Sequence, residues 1–149
     1  MYRVLLDSNI LLSGLFFDGN ERKILEAGLE KKIQLVIPET VALEIKSIVE
    51  RKSAKLANVP KAIEMLERIL ENAVVIPEED YIDKAKEAKQ IIRDIGDAPI
   101  LAAVLSIKHD YFVSGDKDFQ VLSLPTHVSA KGLLNKIKTE KRTKQFKQN

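Results

Sequence analysis

A short apolar run near the N-terminus, Val4–Leu6, is ended at once by the polar residues Asp7–Asn9. A run bounded in this way is typical of a central parallel strand that is covered on both faces. In open α/β sheets, ligands bind in the crevice beyond the carboxyl ends of the strands. The sequence therefore predicts a buried strand with Asp7 at the crevice.

The rest of the chain alternates strand-like runs with helical periodicity. Strands are predicted at Tyr2–Leu6, Gln34–Ile37, Val74–Ile76 and Tyr111–Ser114, with weaker strand character at Val121–Leu122 and Thr126–Val128. After a loop that follows Asp7, helices are predicted at Glu21–Lys31, Pro38–Arg51, Lys61–Glu71, Glu79–Arg93, Ala98–Lys108 and Ala130–Ile137, with a break at Asn58–Pro60. This alternation predicts a three-layer α/β/α sandwich around a mainly parallel sheet.

Composition excludes several classes of protein. With 149 residues, 45% hydrophobic and 31% charged, the chain fits one soluble domain with a substantial core. The absence of cysteine excludes disulfides, zinc ribbons and thiol catalysis, and two histidines argue against a zinc site. We find no membrane-spanning run and no signal peptide, so we expect a cytoplasmic protein without a membrane partner.

Charge is distributed unevenly along the chain. Residues 136–149 carry six basic side chains and one acidic side chain, whereas the preceding residues are mildly acidic. The segment 138–149 also has few apolar residues to pack. We therefore predict a folded domain over residues 1–137 and a basic, mobile tail over residues 138–149.

Four acidic side chains fall where such a sheet would gather them. Asp7 and Asp116 follow predicted strands, Asp97 stands at a predicted helix start, and Glu44 lies roughly 40° from the buried Ile48 on its helix. Right-handed crossovers bring strand ends and helix starts to the same edge of a sheet. Clustered carboxylates repel unless a cation offsets them, and an all-oxygen ligand set favours Mg²⁺ or Mn²⁺. Such an ion suits phosphodiester hydrolysis.

Each of these acids also has a purely structural explanation. Asp7 can end a strand through a side-chain turn, and Asp97 can cap a helix. Glu44 can be a solvated helix residue, and Gly115–Asp118 has the composition of a turn. Their joint occurrence at one predicted edge favours the functional interpretation.

Other candidate groups are weaker. His109 and His127 are expected at the surface or in loops. Ser8 and Ser114 have no evident general base, so neither is predicted to be a nucleophile.

Four segments together resemble the PIN domains, metal-dependent nucleases that include the toxins of prokaryotic toxin–antitoxin pairs. The segments are LLDSNILLSG, PETVALEI, GDAPILAAVL and VSGDKDF, the last with Phe119 in its pattern. They follow one another in the order of the family's motifs, and the resemblance covers residues 2–128. It implies an RNA substrate, a homodimer and an antitoxin partner that blocks the acidic cleft. Leu43, about 160° from the buried Ile45 on its helix, is a candidate dimer contact.

The resemblance also assigns roles to individual residues. It implies catalytic acids at Asp7, Glu44, Asp97 and Asp116, a metal set of Asp7, Asp97, Asp116 and Asp118, orienting groups at Ser8, Asn9 and Ser114, and a substrate contact at Lys117. Mg²⁺ or Mn²⁺ is the implied cofactor. Whether Asp116 or Asp118 is the nearer ligand stays open.

Three alternatives remain beside a toxin ribonuclease. One is a PIN-like nuclease of RNA processing, and another is a catalytically silent RNA-binding protein of the same fold. The third is an aspartate phosphotransfer protein, which would also place Asp7 after a strand. Phosphotransferases of the haloacid-dehalogenase type usually have a second Asp two residues later, where this chain has Asn9.

Overall fold

The computed structural model describes residues 1–52 and 59–148. Asn58, where the sequence predicts the start of a chain break, and Asn149 lie outside the described residues. Within the described residues, the chain forms five strands and eight α-helices.

The five strands form one parallel sheet. They are β1 (Arg3–Leu6), β2 (Gln34–Pro38), β3 (Val74–Ile76), β4 (Tyr111–Val113) and β5 (His127–Val128). Their order is β3-β2-β1-β4-β5, and each neighbouring pair is parallel. The chain therefore moves outward from β1 to β3 and then returns to the other side of β1 as β4. The strand order reverses between β1 and β4, which is where open α/β sheets bind ligands.

Helices pack against this sheet in the predicted three-layer α/β/α arrangement, which the structure confirms. They are α1 (Ser8–Phe16), α2 (Asn20–Leu29), α3 (Glu39–Lys52), α4 (Val59–Asn72), α5 (Ala85–Ile91), α6 (Ala98–Ser106), α7 (Lys117–Gln120) and α8 (Ala130–Gln148). None of the helices in the described part of the chain is long and apolar enough to cross a membrane.

The central strand is buried as its composition predicts. Val4, Leu5 and Leu6 are fully buried, and Phe112 of the neighbouring β4 is equally inaccessible. Burying side chains of this size contributes about 1.5–3 kcal/mol each relative to leaving them exposed. The strand ends that carry the candidate acids are therefore held by the most solvent-excluded part of the core.

The loop predicted after Asp7 is wrong, because helix α1 begins immediately at Ser8. Asp7 caps this helix, since its side chain accepts a hydrogen bond from the backbone N–H of Asn9. Ile10 and Leu15 of α1 are buried against the core. The turn-like sequence after this strand is the start of a helix, so Asp7 is the single residue that joins β1 to α1.

The single helix predicted over Glu79–Arg93 is also wrong. Two short 3₁₀ turns precede α5, and the chain is extended at Ile92. Tyr81 interrupts the helix, since its ring is buried and its hydroxyl hydrogen-bonds to Thr40 of α3. This tertiary contact overrides the local helical periodicity.

The C-terminal part differs from prediction in two places. Val121–Leu122 is a turn after α7 rather than a strand, and Val121 is largely exposed. The last helix does not end at Ile137 but continues to Gln148. Residues with high helix propensity and a Glu140–Lys144 ion pair of 3.1 Å support this extension. The mobility of segment 138–149 and its separation from the domain over 1–137 stay predictions.

Candidate carboxylate site

Asp7 is fixed at the carboxyl end of the central strand. Its side chain is 3% exposed, and Oδ2 accepts a hydrogen bond of 2.6 Å from the Ser114 hydroxyl. Burial raises the pKa of Asp7, whereas the hydrogen bonds from Ser114 and from the backbone of Asn9 act against that rise. Asp7 is thus a desolvated carboxylate whose orientation is set by its neighbours.

Ser114 connects the ends of β1 and β4. Its hydroxyl donates to Asp7 and accepts a hydrogen bond of 3.0 Å from the backbone N–H of Asp116. Asp116 in turn caps α7, and its Oδ1 accepts from the backbone N–H of Asp118 at 2.8 Å. One serine therefore positions two of the acids that the sequence predicts at this edge.

Asp97 immediately precedes α6, but its side chain does not cap that helix. Its side chain makes no capping hydrogen bond, so the structural explanation of this residue as a helix cap fails. Burial first, and then the nearby charges of Asp116, Asp94 and Asp7, raise the pKa of Asp97 to about 6. A hydrogen bond with Asp116 adds to the same effect. Asp7, Asp97 and Asp116 therefore share one site.

A second set of acids meets Asp97 on its solvent side. One carboxylate oxygen from each of Asp94, Asp97 and Asp118 lies within 4.8 Å of the other two. The Asp118 carboxylate also accepts a hydrogen bond of 3.1 Å from Nε of Arg93. This donor set consists of oxygen atoms alone, which suits a hard divalent cation.

Sequence reasoning missed Asp94 and Arg93. Residues 95–97 form a 3₁₀ turn, and Asp94 caps it from an extended conformation, since its Oδ1 accepts a hydrogen bond of 2.9 Å from the backbone N–H of Gly96. The turn is short enough to bring a carboxylate oxygen of Asp94 close to one of Asp97. The spacing of three between these two acids was the available signal, but the predicted helix over Glu79–Arg93 ended just before it.

The remaining predicted site residues lie further out. Glu44 is exposed on α3, and its Oε2 accepts a hydrogen bond of 2.9 Å from the buried Ser8 hydroxyl. The Asn9 side chain is exposed and makes no hydrogen bond to any described residue, although its backbone contacts Asp7. Lys117 is exposed at the start of α7. Glu44 is thus tied to the helix that Asp7 caps, but it is not one of the three grouped acids.

The expectation that the two histidines are surface or loop residues is confirmed for His109, which lies in the loop between α6 and β4, and is wrong for His127. His109 is half-buried, and its ring nitrogens contact the Ile107 carbonyl and the Thr126 hydroxyl. His127 lies in β5, and its Nε2 contacts the Ser114 carbonyl oxygen at 2.8 Å. His127 therefore supports the segment that carries the candidate acids.

Comparison with known proteins agrees with this geometry. The family model of the PIN domain matches residues 3–118. A comparison with curated proteins finds no match.

Two solved structures share the fold at low sequence identity. One is PAE2754 from Pyrobaculum aerophilum, with 13% identity, a TM-score of 0.65 and coverage of 93% of this chain and 90% of that chain. The other is VapBC2 from Rickettsia felis bound to a DNA fragment from its promoter, with 17% identity, a TM-score of 0.56 and coverage of 85% of this chain and 98% of that chain.

Proposed function

The chain belongs to the PIN-domain family, and from this membership we propose that it is a divalent-metal-dependent endoribonuclease. The observation that carries the proposal is the convergence of Asp7, Asp97 and Asp116 where the strand order reverses. Asp7 and Asp116 also cap helices, but capping does not explain the presence of Asp97 beside them, since its side chain caps nothing and mutual repulsion disfavours folding unless a cation offsets it.

Mg²⁺ or Mn²⁺ is the proposed cofactor. Its ligands on the buried side of the site would be Asp7, Asp97 and Asp116. Further oxygen atoms beside Asp97 would come from Asp94 and Asp118. When bound, a divalent cation would lower the pKa of a water molecule and stabilise negative charge on phosphoryl oxygens.

The chain's own groups prepare the site for this chemistry. The Ser114 hydroxyl holds Asp7 in one orientation, and it fixes the backbone of Asp116 at the same time. With a pKa of about 6, the Asp97 carboxyl is mostly ionised at neutral pH and takes up a proton in mildly acidic solution. We assign Glu44 an assisting role, because Ser8 ties it to the first turn of α1.

RNA is the proposed substrate, contacted by Lys117 and by the basic C-terminal part of α8. Lys138, Lys141 and Arg142 belong to that part, and cationic side chains bind the phosphate backbone in a salt-dependent way. Deleting residues 138–149 should preserve the fold and flatten the salt dependence of RNA binding. An unchanged salt slope would exclude this helix from the RNA interface.

The first test is cleavage of RNA by the purified protein. Wild type should cleave single-stranded RNA with Mg²⁺ or Mn²⁺ and lose this activity in EDTA. Asp7→Asn should abolish cleavage with an unchanged circular dichroism spectrum. Full activity in EDTA, or in the variant, would overturn the proposal, and a labile phosphoryl group on Asp7 would favour the phosphotransfer alternative.

The biological setting we propose is the toxin of a toxin–antitoxin pair in the cytoplasm. The structural neighbour from Rickettsia felis is VapBC2 bound to a DNA fragment from its promoter, and this chain shares its fold. A short reading frame beside this gene should encode a protein that copurifies with the chain and inhibits cleavage. Its absence, together with cleavage of a defined precursor, would favour RNA processing.

We also propose a homodimer that uses the outer face of α3. Leu43 is 56% exposed there, on the side opposite the buried Ile45. Leu43→Lys should yield monomers in sedimentation at micromolar concentration, whereas the control Leu105→Lys, at a residue 39% exposed on α6, should leave dimers intact. A wild-type monomer near 16.8 kDa would contradict the proposal.

A further inference from the structure

A second recess lies on the β5 side of Asp116, and neither Asp94 nor Asp97 lines it. It is a cleft of about 310 Å³ between the end of β4, helix α7 and the end of β5. Its polar lining consists of Ser114, Asp116, Gln120, His127 and Ser129, with Gly115 at its mouth. This volume is at the lower end of the range for small-molecule sites, so the cleft suits a single planar group. Because Asp116 belongs to both, the cleft is continuous with the carboxylate site.

Gly115 leaves this cleft open. Its φ is not positive, so its backbone conformation does not require glycine. A Cβ atom built at Gly115 would have no heavy atom within 4 Å, so packing does not require glycine either. At Gly14 and Gly28, by contrast, an added Cβ would lie 2.5 Å from a leucine side chain. The missing side chain at Gly115 therefore serves to leave space.

The cleft also presents hydrogen-bonding groups that the protein does not use. The Gln120 amide has no partner among the described residues, and it has both donors and an acceptor. Nε2 of His127 faces a carbonyl oxygen, which only accepts, so Nε2 carries the ring proton. In the tautomer that carries its proton on Nε2, Nδ1 is an acceptor, and it has no partner in the described part of the chain. The ring itself is held against Phe112 at a centroid distance of 5.6 Å.

We propose that this cleft binds the base of the nucleotide adjoining the scissile phosphate. The inference rests on the proposed ribonuclease function and deepens it, because it assigns a specificity site next to the carboxylates. The unused acceptor on His127 suits the donor-bearing edge of a base, where adenine and cytosine present an exocyclic amino group, uracil a ring N–H, and guanine both. Gln120 adds a second contact to the edge of the same base.

The test fills the cleft without disturbing the fold. Gly115→Ala, Gly115→Val and Gly115→Leu add increasing volume where no atom stands in the way. Each variant should have the wild-type melting temperature, and Mn²⁺ should change that temperature by as much as it does in wild type. Binding of a single-stranded RNA oligonucleotide, measured by fluorescence anisotropy in EDTA, should weaken in the order Ala, Val, Leu, by about tenfold for the largest, since loss of contact with one base has effects of this size.

Two further variants separate recognition of the base from bulk. Gln120→Ala should reduce the preference among bases at the cleaved position, read by mapping cleavage of a mixed-sequence RNA. Gln90→Ala, at an exposed glutamine of α5, should leave the cleavage pattern unchanged. Gly19→Ala is the matched control for the glycine series, because its added Cβ would make only an ordinary contact with Glu21.

The outcomes distinguish the two proposals. If wild type cleaves RNA and the Gly115 series keeps wild-type affinity and cleavage positions, the base site is wrong and the ribonuclease function stands. If wild type binds RNA without cleaving it and the series weakens binding, the base site stands and the ribonuclease function is wrong. If wild type neither binds nor cleaves RNA, both are overturned.

Discussion

The two sets of acids around Asp97 differ in what holds them. On the inner side, Asp7 and Asp116 follow the two central strands, and Ser114 fixes both through hydrogen bonds. On the outer side, Asp94 precedes a short 3₁₀ turn and Asp118 lies in helix α7, where its carboxylate is paired with Arg93. The Arg93 side chain is 86% exposed and that of Asp118 is 15% exposed, so the arginine end of this ion pair is solvated and the pair is weak.

This difference indicates which carboxylates have a fixed geometry before a cation binds. Inner carboxylates cannot move without disturbing buried strands, so they have a fixed geometry before any cation binds. The outer carboxylates are less constrained: Asp94 is exposed, and Asp118 is paired with an arginine that is itself largely exposed, a kind of ion pair that contributes at most about 1 kcal/mol. We therefore expect the inner acids to control chemistry and the outer acids to tune affinity for the cation.

Asp97 belongs to both sets, so its substitution should have the largest effect. Asp97→Asn should lower the rate of RNA cleavage by about 10³-fold or more, because several kcal/mol of charge stabilisation depend on the cation. Single-turnover cleavage with saturating Mn²⁺ measures this. A loss no larger than that of Asp118→Asn would break the distinction between the two sets.

Ser114→Ala tests the preorganisation of the inner set. It removes the hydrogen bond to the buried Asp7 and the acceptor for the backbone of Asp116. Cleavage should fall by about 10- to 100-fold, the usual effect of removing a group that orients a ligand, and stability should fall by about 1–2 kcal/mol. Cleavage kinetics and urea unfolding measure the two losses.

The control for this variant is Ser47→Ala, at an exposed serine of α3. It should change neither the cleavage rate nor the unfolding midpoint. If Ser114→Ala behaved in the same way, Asp7 would not depend on Ser114 for its orientation.

The outer set should affect cation affinity more than rate. Asp94→Asn and Asp118→Asn should each weaken Mn²⁺ binding by about tenfold and leave the rate at saturating Mn²⁺ within a few-fold of wild type. Isothermal titration calorimetry measures the affinity. Asp83→Asn removes an exposed acid outside both sets and should alter neither value. If Asp118→Asn strongly lowered the cleavage rate at saturating Mn²⁺, Asp118 would belong with the inner acids.

The smallest effect we predict is on stability without metal. The folded-state pKa of Asp97, about 6, lies above its ordinary value of 3.8, so the folded protein binds more protons between these values. Stability must then decrease as pH rises through this window and become independent of Asp97 above it. Because Asp97 is partly solvated, we discount the shift to about 1 kcal/mol.

Urea unfolding in EDTA from about pH 4 to pH 7 tests this sign. Asp97→Asn should remove the decrease and be the more stable protein at neutral pH. A wild type that gained stability relative to Asp97→Asn over that range would show that Asp97 does not experience the other acids.

The sequence by itself determined the frame of the site. Val4–Leu6 is a short apolar run followed directly by an acid. Consecutive residues are therefore enough to predict a buried strand with Asp7 at its end. The same holds for Asp116 after β4 and for the alternation of strands and helices. Burial patterns of this kind depend on local order along the chain, which is why the parallel sheet and the meeting of Asp7, Asp97 and Asp116 were predictable.

Only the tertiary structure decided how the acids are held and which others join them. Ser114 and Asp7 are 107 residues apart in the chain, and no local pattern specifies their hydrogen bond. Asp94 joins the site because it caps the short 3₁₀ turn that ends at Asp97, whereas hydrophobic periodicity describes only which faces are buried. Side-chain geometry at short distances decides the site, and it exists only once the core has fixed the strands.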